Sequence, residues 1–121
     1  MNWTGTWKNQ YGSILDITSD EGGNIAGWFT SAVDGGIKDA RIRVSGFHAA
    51  DRLTFCLAGG PIVAAWTGLL RHDRLETLWH VAASERRTGP VEEAGAANRQ
   101  LDIFEAFTTG ADTFIRIDRG R

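Results

Sequence analysis

The strongest constraint on this chain is its rhythm. Apolar and polar residues alternate at period two in short runs, and turn residues separate the runs before any of them reaches helical length. In "NWTGTWKN" (2–9), Trp3, Gly5, Trp7 and Asn9 share one face of a strand. Two large aromatics on that face mark it as buried. "SILDITS" (13–19) follows, and then "DEGGN" (20–24), a hairpin signal because glycine adopts positive φ without strain. Further strands are expected at "IAGWFTS" (25–31), "ARIRVSGF" (40–47), "RLTFCLA" (52–58), "PIVAAWTGLL" (61–70), "LETLWHVAA" (75–83) and "DTFIRI" (112–117). Eight strands joined mostly by short links describe an antiparallel meander. Closing such a meander removes both exposed edges, so the expectation is all-β: an eight-stranded antiparallel up-and-down β-barrel.

A chain of 121 residues is one domain, 1–121, with a single core. The segment "SERRTGPVEEAGAANRQ" (84–100) breaks the pattern with glycine, alanine and charge, and it reads as a mobile loop. Five Trp and six Phe suit an aromatic-lined interior. The net charge of −2 and the lack of a basic stretch argue against a nucleic-acid partner. No apolar run approaches the roughly 20 residues that span a bilayer, so no membrane partner is expected. One cysteine, Cys56, and three scattered histidines exclude a disulfide framework and a cysteine-based metal cluster. Together with the lack of a visible secretory signal they point to the cytoplasm, with secretion left open.

A barrel of this size either fills with side chains or holds one small ligand, so its inward face decides its function. Alternation places Trp7, Asn9, Leu15, Ile17, Phe29, Ser31, Phe55, Leu57, Ile62, Ala64, Trp66, Thr77, Trp79, Asp112 and Phe114 inward. Asn9, Ser31, Thr77 and Asp112, with Ser13 just past the first turn, are the polar exceptions. Taken singly, Asn9 and Ser13 read as caps of that turn, and Asp112 as the start of the last strand near solvent. Taken together, they are the few convergent polar groups that fix a small polar ligand in an apolar pocket.

Several motifs, in order, resemble the avidin and streptavidin family: "GTWKNQYGS" (5–13), "GWFTSAV" (27–33), "WTG" (66–68), "LETLW" (75–79) and "GADTF" (110–114). The first, in its Trp-x-Asn-Gln-x-Gly-Ser form, is the most specific. The resemblance implies a biotin-binding barrel that assembles as a homodimer or homotetramer, with biotin as a ligand and no catalytic cofactor. It assigns Asn9 and Ser13 as donors to the ureido oxygen, Ser31 and Asp112 as partners of the ureido N–H groups, and Trp66 and Trp79 as walls. Thr77, and Gly35 in the loop after Ser31, complete the lining. Four positions depart from the family pattern: Phe29 replaces a tyrosine donor, Leu57 a wall tryptophan, and Ile62 and Ala64 two hydroxyl residues. Phe104 falls where some members lend a tryptophan lid. The ureido end is kept and the sulfur and tail end is apolar, so reduced affinity is expected.

Two rival readings keep the barrel: one that has lost biotin and binds another small, more apolar molecule, and a lipocalin-like carrier. Catalysis has little support. His72-Asp73 reads as a hairpin tip, and His80 follows inward Trp79 and points outward. Outward Trp28 and Leu78 suggest cover by another subunit.

Overall fold

A computed structural model describes residues 2–33, 37–83 and 106–117. Within them the chain forms eight strands: β1 (Gly5–Asn9), β2 (Ile14–Glu21), β3 (Asn24–Thr30), β4 (Arg41–Ala49), β5 (Arg52–Gly59), β6 (Ile62–Arg71), β7 (Arg74–Ala83) and β8 (Phe107–Ile117). Each pairs antiparallel with its neighbour in sequence, and β8 returns to β1, closing the barrel. The meander expected from the short links is therefore the fold observed. Two boundaries differ from expectation. The first strand begins at Gly5, because Trp3 lies outside the ladder. The last begins five residues earlier than "DTFIRI", at Phe107, because the ladder to β7 continues through Thr108↔Val81 to Phe107↔Ala82.

The turns follow from local chemistry. Gly22 and Gly23 take φ values of 61° and 84° between β2 and β3, the positive-φ pair a two-residue hairpin requires. His72 and Asp73 do the same between β6 and β7, at 52° and 65°, which makes this pair the hairpin tip that its sequence suggests. Because the strands alternate in direction, one end of the barrel gathers the C-terminal ends of β1, β3, β5 and β7 with the starts of β2, β4, β6 and β8. The opposite end carries the β2–β3 and β6–β7 hairpins.

That opposite end is closed by an aromatic stopper. Trp3 is fully buried, its ring 5.7 Å from that of Trp7, and the Trp7 indole N–H donates to the Trp3 carbonyl at 3.1 Å. The Arg116 guanidinium lies 4.5 Å over the Trp7 ring and donates to the Asn2 carbonyl. Asp20, on β2, accepts the Trp3 backbone N–H at 2.8 Å and meets His48 Nε2, from β4, at 2.5 Å.

The Trp3 N–H, helped by His48, holds the Asp20 carboxyl below its ordinary value of 3.8, against the opposing effect of burial. A pKa lowered on folding stabilises the native state fully above the unfolded value, and the contribution is lost as pH falls through the folded one. Acid melts should therefore show wild-type Tm falling more steeply below about pH 4 than that of Asp20→Asn, which has already lost this contribution at neutral pH. Parallel profiles would remove Asp20 from the acid sensitivity.

The inward face matches the expected alternation closely. Trp7, Leu15, Ile17, Phe29, Phe55, Leu57, Ile62, Ala64, Trp66 and Phe114 are all buried, and Trp79 is partly so. The ring of outward Trp28 carries the guanidinium of Arg41 at 4.1 Å and that of Arg43 at 5.3 Å. Because side chains at 41 and 43 project on the same side as Trp28 from the adjacent strand, the chain covers this ring itself. Leu78 remains exposed, as does His80. No described residue is helical. Residues 84–100, expected to form a loop, lie outside the described residues.

Candidate functional site

Five buried polar residues stand out: Asn9, Ser13, Ser31, Thr77 and Asp112, each no more than 7% exposed. They are the five polar exceptions in the sequence, and strand directions place them toward one end of the barrel, away from the Trp3 stopper. Asn9 ends β1, Ser13 precedes β2 and Ser31 follows β3. Thr77 and Asp112 face each other across β7 and β8. Asn9 is opposite Phe114 on β8, two residues beyond Asp112 and therefore on the same inward face.

Asn9 organises the first turn. Its Oδ1 accepts the backbone N–H of Tyr11 at 3.0 Å and of Ser13 at 2.9 Å, while its own N–H donates to the Ser13 carbonyl. The capping role is therefore present, and it fixes the amide by its oxygen. None of the turn's hydrogen bonds uses Nδ2. Ser13 Oγ accepts the Ala32 N–H at 2.9 Å, which ties the first turn to the segment after β3 and leaves the hydroxyl proton to donate elsewhere. Ser31 Oγ is held within its own loop, donating to the Val33 carbonyl at 3.2 Å and accepting the Val33 N–H at 3.3 Å.

Asp112 does not start the last strand near solvent. It lies within β8, 7% exposed, because that strand begins earlier than its sequence suggests. The Trp66 indole N–H donates to Asp112 Oδ2 at 3.4 Å. Thr77 Oγ1 donates to the Asp112 backbone carbonyl at 3.0 Å, so its proton is committed to the β7–β8 pair. Carboxylate, indole and threonine thus position one another across three strands.

The walls are aromatic. Trp66 pairs with Trp79 across β6 and β7, is stacked on Phe55 with centroids 4.8 Å apart and planes 12° from parallel, and meets Phe29 at 5.0 Å. Phe55 reads as ordinary core in the sequence, yet it sets the plane of Trp66. Only the β5–β6 register, which places it opposite Trp66, reveals this. Leu57 and Ala64 face each other across the same strands, and Ile62 starts β6, so these three departures share one stretch of wall, apart from Phe29 on β3. Gly35 and Phe104 lie outside the described residues.

Gly110 was missed by reasoning from residue type, since a glycine carries no chemistry. It pairs with Trp79, and a Cβ there would lie 2.2 Å from the ring atom Cζ2. The missing side chain is the space the Trp79 indole occupies. Gly110→Ala should displace that ring and weaken ligand binding by about tenfold or more. A titration of the variant checks this, and unchanged affinity together with an unmoved Trp79 fluorescence signal would show that the wall relaxes freely.

No group of three or more metal-ligating side chains occurs among the described residues. The arrangement contains hydrogen-bond donors, one carboxylate and aromatic walls, which is equipment for holding a small cyclic polar molecule.

The family model described as "Avidin family" matches residues 1–117. Among solved structures, a rhizavidin–biotin complex superposes with a TM-score of 0.76 at 18% identity, covering all of both chains. A bradavidin2–biotin complex gives 0.71 at 21% identity over 97% of this chain and 99% of that one. Core-bradavidin gives 0.69 at 27% identity over 91% and 96%. These are distant relatives with the same barrel, in a family of non-enzymatic binding proteins. The chain belongs to the avidin family.

Proposed function

We propose that the barrel binds biotin, one per chain, more weakly than typical avidins do, and that the protein works as a homo-oligomer. The observation that carries the reading is Asp112, a buried carboxylate beside Trp66 with Asn9 and Ser13 on the same inward end. A carboxylate there polarises a ureido group by accepting its N–H, while donors opposite stabilise the oxygen, and such charge-assisted bonds are stronger than neutral ones. Rhizavidin and bradavidin2, which share this fold, occur as biotin complexes.

The reduction in affinity follows from chemistry absent at three positions. Phe29, Ile62 and Ala64 carry no hydroxyl, and each missing neutral hydrogen bond is worth about 0.5–1.5 kcal/mol. Leu57 presents a smaller wall than an aromatic residue. Since about 1.4 kcal/mol is tenfold in Kd, the combined loss amounts to a few powers of ten.

Isothermal titration with biotin and desthiobiotin tests both parts. The expected result is near one ligand per chain, with desthiobiotin binding as tightly as biotin because Ala64 offers nothing to the sulfur. A strong preference for biotin would return the sulfur contact to the site. The apolar cluster of Leu57, Ala64 and Ile62 favours a second reading, a barrel for a more apolar cyclic urea or amide. No heat with biotin, and displacement of a fluorescent apolar ligand instead, would select it.

A further inference from the structure

β1 and β8 part company just short of Asp112. Their last paired residues are Asn9 and Phe114, after which Gln10, Tyr11 and Gly12 turn toward β2, with the Gly12 N–H donating to the Asn9 carbonyl at 3.1 Å. On its other side β8 keeps a partner: Thr113, Asp112 and Ala111 pair with Glu76, Thr77 and Leu78 on β7. Toward β1, residues 111–113 would therefore form a bare edge, leaving an N–H and a carbonyl to water. The side chain of Gln10 takes the place of the missing strand. Its Oε1 accepts the Thr113 N–H at 2.9 Å, and its Nε2 donates to the Ala111 carbonyl at 3.3 Å. These two bonds fall on either side of Asp112. They also select the residue type, since a carboxamide offers an acceptor and a donor together, whereas a carboxylate or an ammonium group satisfies only one of the two.

We propose that Gln10 is a positioning residue whose amide clamps the β8 backbone around Asp112, and so sets the spacing between that carboxylate and the donors of Asn9 and Ser13. The inference rests on the biotin reading above and adds the device that spaces the two ends of the ureido site. Trp66 and Thr77 hold Asp112 from the β6 and β7 side, through Oδ2 and through the backbone carbonyl. Gln10 supplies the tie from the opposite side. Its own neighbours in the chain are Asn9, whose Oδ1 organises the first turn, and the Tyr11–Gly12 link to Ser13. The clamp therefore joins the segment that carries the donors to the segment that carries the acceptor, and the two halves of the cradle move together. A hydrogen bond weakens steeply with misalignment, so a cradle that grips both ends of one small group depends on this spacing. Gln10 is itself exposed, so removing its amide leaves the core packing intact.

Two measurements on the full chain test this: amide hydrogen exchange without ligand, and biotin titrations of the wild type, Gln10→Ala, Asp112→Ala and the double variant. In Gln10→Ala the Thr113 amide should exchange about tenfold faster or more, because its acceptor is gone. Tm should stay within about 3 °C of the wild type, while biotin affinity falls by about tenfold. In the Asp112→Ala background the same substitution should change affinity by less than about threefold, because no carboxylate remains to be placed. A residue that only supported the fold would weaken both backgrounds alike. Unchanged Thr113 exchange in Gln10→Ala would overturn the clamp. Faster exchange with an equal loss of affinity in both backgrounds would overturn the placing of Asp112. A wild type that binds no biotin, with Thr113 exchange still responding to Gln10→Ala, would overturn the biotin reading alone and uphold the clamp.

Discussion

Replacing Trp7 by alanine should cost about 3–5 kcal/mol of stability and lower Tm by on the order of 15 °C. Trp7 is 2% exposed and makes three contacts, two with Trp3 and one with Arg116 from the far end of the chain. Its ring packs on Trp3, its face receives the Arg116 guanidinium, and its indole N–H satisfies the Trp3 carbonyl. In the β1 ladders it stands opposite Leu15 on β2 and Arg116 on β8, the junction that closes the barrel. Alanine removes the large aromatic volume at that seam, leaves a buried carbonyl without its donor, and loosens the segment that stops the closed end. Because domains are stable by only about 5–15 kcal/mol, this one change consumes a large share. Denaturant melts of the wild type, Trp7→Phe and Trp7→Ala should rank in that order, with the phenylalanine variant losing the smaller part. A loss below about 1 kcal/mol in Trp7→Ala would mean that Trp3 moves into the space and reseals the end.

Asp112→Asn should weaken biotin binding by about ten- to a hundredfold while changing Tm little. The substitution keeps size and shape and removes only the charge. The Trp66 indole N–H still finds an oxygen at that position, and the Thr77 hydroxyl still finds the backbone carbonyl, so the local packing survives. The ligand's N–H groups lose the anionic acceptor, which is where charge-assisted bonding exceeds the neutral kind. Calorimetric titration paired with a thermal melt separates the two roles open to this residue. Lost affinity with an intact melt marks Asp112 as a ligand contact. A lowered melt with unaltered affinity marks it as part of the scaffold, holding Trp66 in place.

The periodicity of the sequence alone determined the meander, the barrel and the inward face. Alternation at period two is a local property: once Trp7 points inward, Asn9 does too, whatever lies across the barrel. The polar exceptions on that face were legible for the same reason, since Asn9, Ser31, Thr77 and Asp112 break an apolar pattern at known phase. What the sequence did not reveal depends on register and on partners far away in the chain. The start of β8 at Phe107 comes from pairing with Ala82, and that pairing is what moves Asp112 from a strand end into the interior. Trp28 meets Arg41 and Arg43 only because β3 and β4 lie side by side in that register. Gly110 is silent in sequence and gains its meaning from the Trp79 ring that fills the space beside it. Trp3 sits outside the strand ladder, yet it is one of the most buried residues, because closing the barrel brings Asp20 and His48 to it from β2 and β4. Alternation decides which side a residue faces, and closure of the barrel decides what it meets there.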